Sequence, residues 1–255
     1  MREINLEELK KIQIGVLDYV DAFCKEYDIK YWIDCGTLIG AVRHKGYIPW
    51  DDDIDIGMLR EEYDRFCEIF NKKAAERYRL HNCDNDPTFR YGYSKVMDHS
   101  TVLYEPDEKG VKAAVNIDVF VYDNAPDNDF LMRWMYLKRN FYRALRSFQY
   151  DYTSFGSPVK IAMTKVFRKI LTPYFKGKPE NYCVRKIVKN SKSYATKKTK
   201  RIGNFVGAAV MCSNKANFEE TTEIEFEGKK YPAPKGFDQY LTDFYGNYME
   251  LPPVE

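Results

Sequence analysis

From residue 5 to residue 28 apolar side chains recur every three or four positions (Ile12, Val16, Val20, Phe23, Tyr27) with charges between them, a spacing that predicts an amphipathic helix. The chain then runs into residues 29–35 (IKYWIDC), which read as a strand ending at Gly36-Thr37, and residues 38–44 have the make-up of a short helix. Gly46 and Pro49 break the pattern. Residues 53–58 (DIDIGM) alternate acid with isoleucine and predict a second strand, whereas 59–78 return to helical spacing through Tyr63, Phe66 and Phe70. Strands are predicted again at 92–97, 101–104 and 115–122, giving a mixed α/β order.

From Phe130 onward the pattern changes. Residues 130–148 and 158–175 predict helices that are basic on one side and aromatic or aliphatic on the other, 189–201 read as a polar loop, and hydrophobic character resumes at Ile202. The tail carries two turn-rich pieces, YPAPKGF and LPPVE, and no internal repeat is found. The chain is expected to divide into an α/β core over 1–129, a basic helical region over 130–201 and a segment over 202–255 that packs back on the core.

Composition sharpens this division. The 255 residues are 44% hydrophobic and 31% charged, which excludes a disordered or low-complexity chain. The overall charge of +2 conceals an asymmetry: residues 130–201 hold 19 Lys and Arg against Asp151 and Glu180, a net of +17, so the rest carries −15. An acidic half suited to metal and a basic half facing an anionic partner follow from that split. The six cysteines form no CxxC pair and no zinc spacing, and read as reduced thiols. MREINLEELKK is not followed by an apolar stretch, and no window approaches about 18 apolar residues, so neither a signal peptide nor a spanning helix is expected, and the cytoplasm is the expected location.

The densest chemical signal is PWDDDIDI, residues 49–56, with four carboxylates in five positions. In a strand, Asp51, Asp53 and Asp55 would share one face, where their repulsion calls for a cation. An all-oxygen set suits Mg²⁺ or Mn²⁺. A solvated acidic loop or a Ca²⁺ loop would also account for the charge, but Ile56-Gly57-Met58-Leu59 supplies no further ligands for Ca²⁺. Upstream, Gly36-Thr37 at a helix start is a weak phosphate-cradle signal, with Thr37 as a potential cap. Asp118, a lone acid among Val115, Ile117, Val119 and Val121, needs a partner: a basic side chain, or the same metal. His44, His81 and His99 stand apart without a triad partner. Trp50, Tyr91 and Tyr93 are candidates for stacking on a base, and Cys35 reads as a buried strand cysteine.

The stretch IDCGTLIGAVRHKGYIPWDDDIDIGM resembles the signature of the LicD family, a phosphotransferase branch of the nucleotidyltransferase fold that includes fukutin and fukutin-related protein. Lys95 in YSKVM, the IDVF segment with Asp123 and Pro126, and YGNYMELPP extend the likeness. The resemblance implies a nucleotidyltransferase-like mixed sheet flanked by helices, of α/β (α+β) class, with the basic region as a helical insertion. It also implies transfer of phosphocholine or a polyol phosphate from a CDP-activated donor to a hydroxyl of a cell-surface glycan or its lipid-linked precursor, releasing CMP. On that pattern Gly36 and Thr37 bind substrate, Asp53 and Asp55 hold the metal, and Asp118 completes the site as candidate general base. Arg43 and Lys95 are candidates for phosphate oxygens, and Asp51 for a ligand, an outer partner or a helix cap. A nucleotidyltransferase moving NMP from an NTP would use the same metal residues. A nucleic-acid-binding protein with a degenerate catalytic half is the reading from another class, disfavoured because the acidic constellation is complete and no binding fingerprint accompanies the charge. Peripheral contact with an anionic membrane is an expectation for the basic helices.

Overall fold

The computed structural model describes residues 3–104, 112–149 and 158–251. Helix α1 (Leu6–Glu26) opens on a capping box: the Asn5 side chain accepts from the Glu8 N–H, and the Glu8 carboxylate accepts from the Asn5 N–H. Its periodic residues Val16, Leu17, Val20 and Phe23 are buried. Strand β1 (Trp32–Ile33) gives way at once to α2 (Cys35–His44), and β2 (Asp55–Leu59) runs directly into α3 (Arg60–Lys73), whose Tyr63, Phe66 and Phe70 enter the core. Strands β3 (Tyr78–His81), β4 (Ser94–Tyr104) and β5 (Lys112–Ala125) follow. Then come α4 (Asp129–Gln149), α5 (Pro158–Phe175) and α6 (Tyr182–Ser191). Strands β6 (Arg201–Asn204) and β7 (Met211–Asn214), a hairpin of β8 (Thr221–Phe226) and β9 (Lys229–Pro234), and α7 (Phe237–Tyr245) complete the order.

The seven-stranded sheet has the order β1-β2-β5-β4-β3, and β6 and β7 extend it from the far end of β5. Strands β2 and β5 are parallel, and the other pairs are antiparallel. Both faces of β5 are covered, since Val115, Ile117, Val119 and Val121 on one side and Phe120 and Tyr122 on the other are buried. A strand in that position must be apolar on both faces, which is why a single acid within it stands out. This is the α+β, nucleotidyltransferase-like mixed sheet with flanking helices. No helix among the described residues is long and apolar enough to cross a membrane.

Local departures from the sequence expectation have physical causes. The strand predicted at 29–35 is cut to two residues because Asp34 takes the extended N-cap conformation and Cys35, at φ 46°, turns the chain into α2. Cys35 is therefore buried at a helix start, not in a strand. The helix predicted to Tyr78 stops at Lys73, where Ala74 is extended, and 78–81 pair with β4. The two strands predicted at 92–97 and 101–104 are one strand with an irregular register between Asp98 and Leu103. The expected polar loop begins inside α6. YPAP is no turn: its prolines lie in β9, which pairs with β8 alone among the described residues, an edge that tolerates the missing N–H. LPPVE falls largely outside the described residues.

Helix α4 reverses the usual amphipathic rule. Its inward face buries Met135 and Arg139, whereas Phe130, Trp134, Leu137 and Phe141, spaced i, i+4, i+7, i+11, are 77%, 54%, 52% and 59% exposed. On α5, Val166, Phe167, Ile170 and Tyr174 are exposed as well.

Candidate active site

Register, not sequence proximity, assembles the site. Asp55 on β2 pairs with Asp118 on β5, and Asp118 pairs with Lys95 on β4, so three ionisable side chains stand in one row on one face of three adjacent strands. Lys95 in turn opposes His81 on β3. The Lys95 ammonium lies 2.8 Å from Asp118 Oδ1 and donates to Asn116 Oδ1 at 3.0 Å. Its contact with Asp118 is an ion pair without hydrogen-bond alignment, and Asp118 Oδ1, though buried, has no aligned donor among the described residues. The backbone of Asp55 is pinned at both ends: its N–H donates to Thr37 Oγ1 at 2.9 Å, and its carbonyl accepts from the Asp34 N–H at 2.9 Å.

Asp51, Asp52 and Asp53 lie on the loop entering β2, so the shared strand face expected for Asp51, Asp53 and Asp55 does not exist; only Asp55 is in the strand. Charge still couples them. Burial, then Asp51 and Asp118, push the Asp53 carboxyl up to about 7. Burial, then Asp53 and Asp118, hold Asp55 well above the usual carboxylate range. Gln13 on α1 fixes the loop by donating to the Asp52 carbonyl at 2.8 Å.

The Gly36-Thr37 element differs from the predicted cradle. Thr37 does not cap α2; Asp34 occupies the N-cap position, and the Thr37 hydroxyl serves Asp55. A Cβ at Gly36 would meet Asp51 Oδ2 at 2.6 Å, so glycine there makes room for a carboxylate over the first turn of the helix. Arg43 is turned elsewhere: it donates to the carbonyls of Tyr248 (3.0 Å) and Glu250 (3.2 Å). Tyr91 and Tyr93 flank the row, with the Lys95 ammonium 4.8 Å and 5.8 Å from their ring centres, and Trp50 is exposed beside the acidic loop.

The family described as LicD/FKTN/FKRP, nucleotidyltransferase domain, matches residues 28–160, a span that holds every member of this row. The chain belongs to the LicD family. The lipopolysaccharide cholinephosphotransferase LicD of Haemophilus influenzae is 30% identical over 264 residues, covering 100% of this chain and 95% of that protein. Human ribitol 5-phosphate transferase FKRP is 37% identical over 57 residues, 22% of this chain and 10% of that protein. An uncharacterised Rickettsia typhi protein, RT0683, is 52% identical over 56 residues, 22% of this chain and 18% of that protein.

Within this LicD-family chain the carboxylates around the row are all-oxygen donors of the type a hard divalent ion takes. Two carboxylates in register and a third on the adjoining loop, with the pKa values of Asp53 and Asp55 raised by burial and by one another, concentrate more negative charge than the single Lys95 ammonium beside Asp118 offsets. Among the described residues no three His, Cys, Asp or Glu side chains are grouped closely enough to hold a metal ion as they stand.

Further residues around the row carry a sequence signal of their own. Asn116 alternates with Asp118 and so shares its face. Asp34 is a second acid in an apolar strand context: fully buried, it accepts from Tyr122 at 2.7 Å and Tyr240 at 2.8 Å, whose hydroxyls are themselves 2.8 Å apart. Gly57 is needed beside it, since a Cβ there would meet Trp32 Nε1 at 2.5 Å. His81 and His99, far apart in sequence, touch at 3.0 Å between ring nitrogens, and burial, then His99, lower the His81 pKa. No sequence signal marks that pair.

Proposed function

We propose that this protein is a phospho-alcohol transferase, moving phosphocholine or a polyol phosphate from a CDP-activated donor to a hydroxyl of a cell-surface glycan or its lipid-linked precursor, with release of CMP. The observation that carries the reading is the Asp55–Asp118–Lys95 row across three strands, within the segment that matches the family. The cholinephosphotransferase and ribitol 5-phosphate transferase relatives support the class of group moved.

In this reading Asp53, Asp55 and Asp118 would hold Mg²⁺ or Mn²⁺, and the ion would supply charge neutralisation for the diphosphate and polarisation of the attacking hydroxyl. Thr37 and Asp34 fix Asp55 through its backbone, so its carboxylate is presented without local rearrangement. Asp118 would accept the hydroxyl proton. Lys95 balances one of the row's negative charges and stands close enough to turn to a phosphate oxygen. Trp50 and the tyrosine pair offer flat faces for cytosine. Arg43, which sequence reasoning assigned to phosphate, we assign to holding residues 248–250.

The exposed aromatic line of α4, bordered by Arg133 and Lys138, supports a finer reading in which the protein meets its acceptor at an anionic membrane surface. The transferase reading is tested by CMP release from CDP-choline, CDP-ribitol, CDP-glycerol and CDP-ethanolamine with Mg²⁺. At least one donor is expected to turn over, and Asp53→Asn, Asp55→Asn and Asp118→Asn are each expected to abolish release while remaining folded. Pyrophosphate release from an NTP instead of CMP release would replace this reading with the nucleotidyltransferase one.

A further inference from the structure

We propose that the inward face of α4 forms a phosphate-binding subsite, with Arg139, Arg143 and Arg146 as its cationic wall and Tyr91 and Tyr93 as its floor, for a phosphate ester borne by one of the substrates. The inference rests on the transferase reading and adds a site that the acidic row does not contain. The three arginines, spaced i, i+4, i+7, line one cavity of about 140 Å³ together with the two tyrosines. That volume accommodates a phosphate group but is too small for a whole nucleotide, since pockets for ligands of that size run to about 300 Å³ or more.

Among the described residues no carboxylate offsets the buried charge of Arg139 in this cavity. Arg139 is 1% exposed, yet among the described residues none of the three arginines is paired with a carboxylate. Arg139 donates instead to the carbonyls of Phe205 (2.7 Å), Gly207 (2.5 Å) and Ala208 (3.1 Å) and to Asn140 Oδ1 (3.1 Å). Those carbonyls are presented by a turn in which Asn204 Oδ1 accepts the N–H groups of Val206 and Gly207 at 3.0 Å each. Carbonyl dipoles satisfy N–H groups but do not cancel charge, and burying a lone guanidinium is costly. Burial, then Arg143 and Arg146, push the Arg139 pKa down to about 10.

Arg143 and Arg146 hold donors in reserve. Among the described residues Arg143 donates to the Ala208 carbonyl at 2.5 Å and Arg146 to the Arg90 carbonyl at 3.0 Å, one bond each from a group with five N–H donors. A phosphate ester supplies both the missing charge and oxygens matched to the guanidinium fork. The subsite is also joined to the row. Tyr91 and Tyr93 pack with ring centres 5.2 Å apart, and on them lies the same Lys95 ammonium that pairs with Asp118. A phosphate held by the arginines would thus share the Tyr91–Tyr93 wall with the Lys95 ammonium of the row.

Arg139 serves as a loop clamp, so the test uses Arg143→Gln/Arg146→Gln in the full chain. Calorimetric titration with inorganic phosphate, CMP, CDP-choline and glucose 6-phosphate reads binding without turnover. Phosphate affinity is expected to fall about tenfold or more, with little change in melting temperature, and Arg143→Lys/Arg146→Lys to restore it only in part. A parallel loss for CMP and CDP-choline assigns the phosphate to the donor; a loss confined to glucose 6-phosphate assigns it to the acceptor. Unchanged affinity for all four probes overturns the subsite, as does a large fall in melting temperature with undiminished phosphate binding by the folded fraction. A wild-type protein that binds phosphate through these arginines yet releases CMP from no CDP-alcohol would retire the transferase reading and leave the subsite standing.

Discussion

Replacing Trp134 and Phe141 together by Glu should detach the protein from anionic vesicles while leaving it folded. Both side chains are more than half exposed on the outer line of α4, so the substitution removes little packing, and the cost to stability should stay within about 0.5 kcal/mol per site. Fully burying an aromatic or leucine side chain contributes about 1.5–3 kcal/mol. With half or more of each of Phe130, Trp134, Leu137 and Phe141 still exposed, insertion at the headgroup boundary contributes about 1 kcal/mol apiece, or about 4 kcal/mol for the line. Arg133 and Lys138 beside it add about 1 kcal/mol each on an anionic leaflet. Two glutamates remove about 2 kcal/mol of apolar transfer and introduce repulsion, so partitioning should drop about thirtyfold or more. Flotation with phosphatidylglycerol-containing vesicles at low and high salt measures it, with uncharged phosphatidylcholine vesicles as reference. Failure of the wild-type chain to float at low ionic strength, or equal flotation of the double variant, refutes the argument. A dimer in solution that dissociates in the variant would make a second copy the true cover of this line.

The acidic row predicts a linked response to pH and metal. Because the Asp53 carboxyl is raised from 3.8 to about 7, the native state holds a proton that the unfolded chain has released, so metal-free stability should fall as pH rises from about 4 to 7. The melting-temperature gain from Mg²⁺ over EDTA should then be larger at pH 8 than at pH 5.5; equal gains would argue that the ion binds elsewhere. Tyr240→Phe, which takes a hydroxyl donor from fully buried Asp34 at constant shape, should cost about 1–3 kcal/mol in urea denaturation, and a loss below about 0.5 kcal/mol would show the Asp34 contacts to be incidental. Arg43→Ala should lower stability by about 1 kcal/mol through the freed carbonyls at 248 and 250 with the donor KM nearly unchanged, whereas a raised KM at constant stability would return Arg43 to the phosphate.

What could be read from the residues alone was whatever periodicity and polarity determine locally. Asp118 announced itself as an acid in an apolar run, and DDDID as charge no fold requires. The partners of those acids were not local. Lys95 stands 23 positions before Asp118, and only the β4–β5 register makes them neighbours. The expectation of a shared strand face for Asp51, Asp53 and Asp55 missed because alternation holds only where a strand exists, and β2 begins at Asp55. Helix α4 was legible as basic and amphipathic, but which side faces inward was not. An amphipathic pattern ordinarily sends its apolar stripe to the core, and here arginine takes that place because the 205–208 carbonyls receive it.

The contacts of Asp34 and Arg43 reach more than 200 positions along the chain, to Tyr240, Tyr248 and Glu250. Synthesis proceeds from the N-terminus, so the segment bearing the acidic row leaves the ribosome long before the residues that close over its base. Until α7 emerges, Asp34 lacks one of its two hydroxyl donors and Arg43 lacks the carbonyls it binds. A nascent chain synthesised only as far as β9 therefore has all the acids and none of these contacts to residues 240–250, and catalytic competence should appear late, as a step that follows collapse of the sheet.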